Sequence, residues 1–326
     1  VAEYALDKGA VVQVSDSIAM GSFSKAIKSC GFEEALSGMP VKLVELTRSI
    51  TVMTKGPFGS IELSADALEA DVIINLPKLK THTQMALTLA VKNLFGCVVG
   101  ARKPEWHFRV GEDKALFASL LVSIYDVLRP SINLMDAILA MEGQGPGTKG
   151  APRQLGLLIA STDALSLDRA VCRMLGLKPD YLMTNSAAST LGLEGEDFEV
   201  TTEGQMHKVW DFDIPETTDL LFGPRFARGF LRRHIASRPL NLPDACKYCN
   251  ECVGICPAHA ITNPGKKLHF DYNKCIRCYC CVEVCPHAAM VKHDTLIKKM
   301  LGVFIEHRRR SMGERDGRGH ECHKGK

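Results

Sequence analysis

The sequence predicts an α/β domain with a largely parallel sheet, followed by a small α+β domain built around cysteines. Two observations carry this reading. Over residues 10 to 220 short apolar runs alternate with amphipathic stretches, the pattern of strand then helix. Beyond residue 244, eight cysteines fall into two runs of identical spacing, which is the pattern of metal ligands rather than of a disulfide framework.

At the start, Glu3 to Gly9 reads as the end of a helix closed by Gly9, so a further N-terminal segment is expected. Strands are expected at Ala10–Val14, Val41–Leu46, Asp71–Leu76, Ile132–Ile138 and Leu155–Ala160. Helices are expected at Ser22–Cys30, Gln84–Asn93, Asp113–Leu128 and Asp163–Leu175. Asp163 reads as a helix cap, with Asp168 one turn in, where the helix dipole favours a carboxylate. Cys30, Cys97, Cys172 and His107 read as packing residues.

The α/β domain is expected at residues 1–222 and a basic linker at 223–243, where Arg225, Arg228, Arg232, Arg233 and Arg238 sit among apolar residues as in a helix packed between domains. The cysteine domain occupies 244–292. The tail, 293–326, reads as helical and then disordered, with Arg308–Arg310 and the metal-binding residue types His320, Cys322 and His323.

Cys246, Cys249, Cys252 and Cys256 follow C-x2-C-x2-C-x3-C with Pro257 after them. Cys275, Cys278, Cys281 and Cys285 repeat the pattern 29 residues later, with Pro286 after them. Three thiolates on one tight loop grip three irons of a cubane, and the fourth ligand comes from elsewhere. In two-cluster proteins the fourth cysteine of each run serves the other cluster. That assigns Cys246, Cys249, Cys252 and Cys285 to one 4Fe–4S cluster, and Cys275, Cys278, Cys281 and Cys256 to a second. Cys280, beside Cys281, reads as a bystander. Residues Ala245 to Val291 resemble a bacterial two-cluster ferredoxin, including the form Cys-Pro-x-x-Ala-Ile at Cys256–Ile261.

In the larger domain the apolar run Val72-Ile73-Ile74 leads into Lys78, Lys80, Thr81, His82 and Thr83, and the helix expected next carries Lys92 and Asn93. Ligands of open α/β sheets bind beyond the carboxyl ends of strands, and a helix N-terminus there offers free N–H groups to an anion. These residues suit a carboxylate or phosphate, with His82 able to act as acid, base or ligand. An ordinary solvated loop is the bland alternative. After the fourth strand come Asp136, Glu142, Gly143 and Gly145 in a glycine-rich loop. Gly145 to Gly150 matches G-x-G-x-x-G in letters only, because Pro146 lies inside it and no helix opens there. The loop reads as a binding loop or a plain turn.

A net charge of +3 and a 24% charged fraction are ordinary for a globular protein, and no nucleic-acid partner is expected. No stretch is long and apolar enough to span a bilayer. Thirteen cysteines with ligand spacing argue for a reducing, cytoplasmic compartment.

Three motifs in order resemble family 362 of the domains of unknown function: Pro77–His82, Val91–Gly96 and Glu142–Gly147. The resemblance covers roughly residues 1 to 210 and implies an iron–sulfur protein of prokaryotic, often anaerobic, type, with a further N-terminal segment and a C-terminal two-cluster ferredoxin. It supplies no reaction. The leading expectation is electron transfer, with an iron–sulfur oxidoreductase as its enzymatic form, between a soluble redox partner and a small anion held by Lys80, His82, Lys92, Asp136 and Glu142. Lys78, Thr81, Thr83, Asn93, Gly143 and Gly145 would assist binding. The alternative is an electron-delivery and docking module with no substrate site of its own. A third reading makes the clusters structural.

Overall fold

A computed structural model describes residues 1–147, 150–193, 200–215 and 236–295. The arginines at 225, 228, 232 and 233, and the tail with its His320, Cys322 and His323, fall outside those residues.

The chain opens with α1 (Ala2–Asp7), β1 (Val12–Asp16), α2 (Phe23–Ser29), α3 (Phe32–Ala35) and β2 (Val41–Glu45), which lies parallel to β1. A hairpin of β3 (Ser49–Met53) and β4 (Ser60–Ser64) follows, then α4 (Ala65–Leu68), whose first turn is capped by the Ser64 hydroxyl. The main sheet comprises β5 (Ile74–Asn75), β6 (Lys78–His82), β7 (Ala86–Thr88), β8 (Ile132–Gly143) and β9 (Gly150–Ser161). Strand β8 pairs in parallel with β5 and β6 and antiparallel with β9, while β7 folds back antiparallel on β6. The expected parallel pairings are therefore present, in a sheet that also carries two antiparallel ones.

Around the sheet lie α5 (Ala90–Asn93), α6 (Arg102–Val110), α7 (Lys114–Leu128), α8 (Ala164–Met174) and α9 (Met183–Thr190). The Asp113 carboxylate starts α7 by accepting from Leu116 N, and Phe117, Leu120, Leu121 and Ile124 along it are wholly buried. Asp163 starts α8 in the same way, accepting from Ser166 N. This core runs from Ile61 to Phe212. No helix among the described residues is long and apolar enough to cross a membrane.

Two expected elements differ. The helix expected at Gln84–Asn93 is helical only at Ala90–Asn93, and Ala86–Thr88 is strand β7. The chain turns at Ala86 (φ +65°), and every residue from 81 to 90 is buried, so no helical periodicity of burial separates the two states. The strand expected at Asp71–Leu76 shrinks to Ile74–Asn75; Val72, Ile74 and Leu76 are exposed, and Pro77 has no N–H for the ladder. Cys172 is buried as expected, Cys97 is half-buried, and Cys30 is exposed.

The cysteine-rich part contains β10 (Arg238–Asn241), α10 (Glu251–Gly254), β11 (Ile261–Thr262), β12 (His269–Phe270), α11 (Cys280–Glu283) and β13 (Met290–His293). Strand β10 pairs with β13 and β11 with β12, both antiparallel. Its own core runs from Cys252 to Met290, and Ala19 and Met20 of the larger part pack against it.

Candidate metal centre and the polar chamber beside it

The repeat in the sequence is a repeat in the backbone. Tyr248 and Arg277, Asn250 and Tyr279, and His259 and Ala288 occupy equivalent places in the two runs, and all six have positive φ. In each run these turns bring together two cysteines of the loop and a third on the four-residue helix that follows. The result is two cavities. One is lined by Cys246, Cys249, Cys252 and Cys285, the other by Cys256, Cys275, Cys278 and Cys281, with Cys280 also on its wall. Each cavity therefore takes three thiols from one run and the fourth from the other, as the spacing predicts.

The twelve described cysteines form no disulfide. Burial raises the Cys252 thiol to about 11, and neighbouring Cys246, Cys249 and Cys285 push it the same way. Cys281 is raised by burial and then by Cys278, Cys275 and Cys256. Ionisation of Cys252 and Cys281 is thus disfavoured, and cationic iron is the charge that would offset this. No three His, Cys, Asp or Glu side chains among the described residues close on one point as ligands of a single ion do. Ligands of a cubane stand farther apart, because each binds a different iron. The donor set fits two cubane clusters.

Beside the second cavity lies a cluster of largely buried polar side chains, termed the polar chamber. His82 ends β6 and is buried; its Nδ1 accepts from Gln84 N at 3.1 Å and Met85 N at 3.2 Å. Nδ1 therefore carries no proton, and the hydrogen sits on Nε2, which donates to Glu283 Oε1 at 3.1 Å. Burial and then Lys92 lower the His82 pKa against the pull of Glu283, so the ring is neutral near pH 7. Burial works to raise the Glu283 pKa, but His82, Lys92 and His107 outweigh it and hold the carboxyl well below the usual range. Burial lowers the pKa of Lys92, a residue with little surface exposed, to about 8, with Glu283 opposing and Lys80 adding to the shift. His107, packed between Phe95 and Phe117, is lowered to about 4, mainly by burial.

Local structure places these groups. Lys80 and His82 alternate onto one face of β6, and Thr88 lies opposite Lys80 on that face. Lys92 rides on α5, whose amides at Ala90 and Val91 donate to the Asp168 carboxylate at 2.7 and 3.2 Å. Asn93 donates to Asn75, which donates to Asn133 and to the Ala90 carbonyl, tying α5 to β5 and β8.

The other candidates do not join them. Lys78 pairs instead with Asp136 at 2.7 Å, both side chains about half exposed. Glu142 accepts from Asp213 N and lies 3.7 Å from Arg153, away from the chamber. The glycine-rich loop is a packing element: Thr83 donates from its amide and hydroxyl to the Gly145 carbonyl. A side chain on Gly145 would meet the Thr81 carbonyl at 2.7 Å, and Gly143 sits at φ +77°. The anion expected at the start of the helix carrying Lys92 is Asp168 itself. Sequence reasoning missed Glu283, His107 and the role of Asp168 toward α5; comparing the runs position by position would have flagged Glu283, which replaces Gly254.

The domain of unknown function DUF362 matches residues 1–173, more than half of the chain. The chain belongs to the DUF362 family. A 4Fe–4S dicluster domain matches residues 238–286 beyond the DUF362 part, so this is an iron–sulfur protein of ferredoxin type. It is similar to the thylakoid-associated protein sll1697 of Synechocystis sp., with 37% identity over 201 residues, 62% of each chain. A further 59 residues' length is 37% identical to UacF of Escherichia coli, whose name carries the word oxidoreductase, over 18% of this chain and 9% of that one. The chain thus spans about three fifths of the length of sll1697 (62%) and a small part of UacF (9%).

Proposed function

We propose that this DUF362 protein carries electrons through two 4Fe–4S clusters and exchanges them with a small anion at the chamber beside the second. Cys246, Cys249, Cys252 and Cys285 would hold one cluster, and Cys275, Cys278, Cys281 and Cys256 the other. When bound, the clusters supply one-electron transfer. The observation that carries the reading is the crossed lining of the two cavities. Anaerobically purified protein should contain about eight irons with matching sulfide. Cys256→Ser, in the first run, should remove the cluster of the second run, leaving about four irons. Fewer than about four irons with bound zinc in the unaltered protein would overturn the reading.

The chain's own residues prepare the chamber. His82 holds a proton at Nε2, Lys92 and Lys80 supply positive charge, and buried His82, Thr88 and His107 keep water out. Lys92→Ala should abolish reoxidation of the reduced protein by anionic acceptors; unchanged rates would remove the substrate site. The exposed edge at Cys249 is the side offered to a soluble redox partner, and the thiol ligands suit a reducing cytoplasm. The proposed division remains an α/β domain to residue 222 and a cluster domain after 244.

One observation favours a second reading, a delivery and docking module without a substrate. Asp136, Asp168 and Glu283 already satisfy Lys78, the α5 amides and His82 from within. A single stoichiometric protein partner with no anion binding would support it.

A further inference from the structure

Three carboxylates of this chain stand where an outside anion was expected. Asp136 and Asp168 come from the same sheet and helices as the groups they satisfy. Glu283 alone comes from the cluster part, on α11, two residues after Cys281. The chamber holds more than Glu283 uses. Lys80 and Lys92 have no carboxylate within ion-pair distance among the described residues. The Thr88 hydroxyl and His107 Nδ1 are buried there without a hydrogen-bond partner. A buried polar atom left unpaired costs about 1–3 kcal/mol, so such atoms point to a missing ligand.

We propose that Glu283 is a latch on a binding site for a small organic acid, whose carboxylate displaces that of Glu283 from His82 and engages Lys92. The inference rests on the anion reading above and adds the ligand class and the way in. The class follows from the donors. Neutral His82 offers one N–H and Lys92 one ammonium, a set suited to a two-oxygen monoanion such as the one already seated. Displacement also has a consequence for α11. The Glu283 carbonyl lies where a side chain on Gly147 would touch it at 3.5 Å, and the same short helix carries Cys281 into the second cavity. Opening the latch therefore loosens a wall of the second cavity, and occupancy of the chamber is linked to the state of that cavity in both directions.

The test uses the cluster-loaded full chain under anaerobic conditions, with acetate as probe. Glu283→Gln should bind acetate at least about ten-fold more tightly than the unaltered protein, because it no longer spends most of its time latched. Adding Lys92→Ala to Glu283→Gln should remove that binding. In the unaltered protein, saturating acetate should speed amide exchange across residues 280–284 and change the electron paramagnetic resonance signal of one reduced cluster only. Equal acetate affinity in the two proteins would overturn the latch and leave the anion site standing. Absence of acetate binding in both would overturn the latch and the anion site together. Should Glu283→Gln lose iron, the exchange measurement on the unaltered protein decides, and exchange unchanged by acetate overturns the latch.

Discussion

The two cluster loops share one cysteine spacing and one backbone, yet they meet the rest of the molecule differently. In the first, Cys249 is exposed and the end of its helix, Gly254, lies against Met20 of the larger part. In the second, Cys278 is buried, Arg277 reaches Glu112 at 2.7 Å, and Glu283, in the place of Gly254, reaches His82. The cysteines and the positive-φ turns make a loop that can hold a cluster. The residues between the cysteines decide whether that loop is a surface or a joint. One loop stays at the surface, and the other is joined to the DUF362 part through Arg277 and Glu283.

If the second loop is keyed to a stiff wall, weakening the wall should have the largest effect. Asp168→Ala leaves two buried amides of α5 without their acceptor and should cost about 4 kcal/mol, seen as a lower urea midpoint. A loss under about 1 kcal/mol would mean α5 is held by packing alone. Next, Arg277→Ala strips one partner from a buried ion pair and should cost about 3 kcal/mol. At the matched position in the first loop, Tyr248→Phe should cost less than about 0.5 kcal/mol. Equal costs would erase the distinction between the loops.

A smaller effect tests the chamber by pH. The unfolded chain protonates His107 near its ordinary value of 6.5, whereas the folded protein does so only near 4, because burial disfavours the charge. The unfolded state thus binds the proton first, so this residue makes stability fall as pH drops from 6.5 toward 4, with no further loss below. Between pH 6.5 and 5 the fall should be about 2 kcal/mol, and His107→Leu should flatten it by that amount. Parallel pH curves for the two proteins would place His107 outside the buried chamber.

How much of this was legible follows the range of the interactions. The cysteine runs are local, and their spacing alone anticipates the crossed cavities. Asp113 and Asp163 cap the helices they precede, which is equally local. Lys80, His82 and Lys92 lie near one another because one hairpin and the short helix after it carry them, which is again a local matter. Lys78 was not separable from Lys80 in the sequence, because two positions apart on a strand they share a nominal face, and the register shift between them in the pairing with β8 has no local mark. The partner of Glu283 lies about two hundred positions away and was not legible locally; only its place in the repeat, matching Gly254, sets this carboxylate apart. Strand β7 was hidden because burial on all sides removes the period that separates helix from strand.

The smallest effect probes the first loop, and it is the sharpest test of the asymmetry. Gly254 is at the end of α10, in the place that Glu283 takes on α11, and its φ is not positive. A Cβ there would sit 3.0 Å from the terminal methyl of Met20, with the sulfur at 3.8 Å. Methionine has three rotatable bonds, so that methyl can step aside at little expense. Alanine in a helix is also favoured over glycine by about 1 kcal/mol. Gly254→Ala should therefore leave stability within about 1 kcal/mol of the unaltered protein and keep both clusters. A loss near 3 kcal/mol, with iron falling to about four per chain, would show Met20 to be held as firmly as His82. The first loop would then be a second joint, and the exposed edge at Cys249 would no longer mark where a redox partner docks.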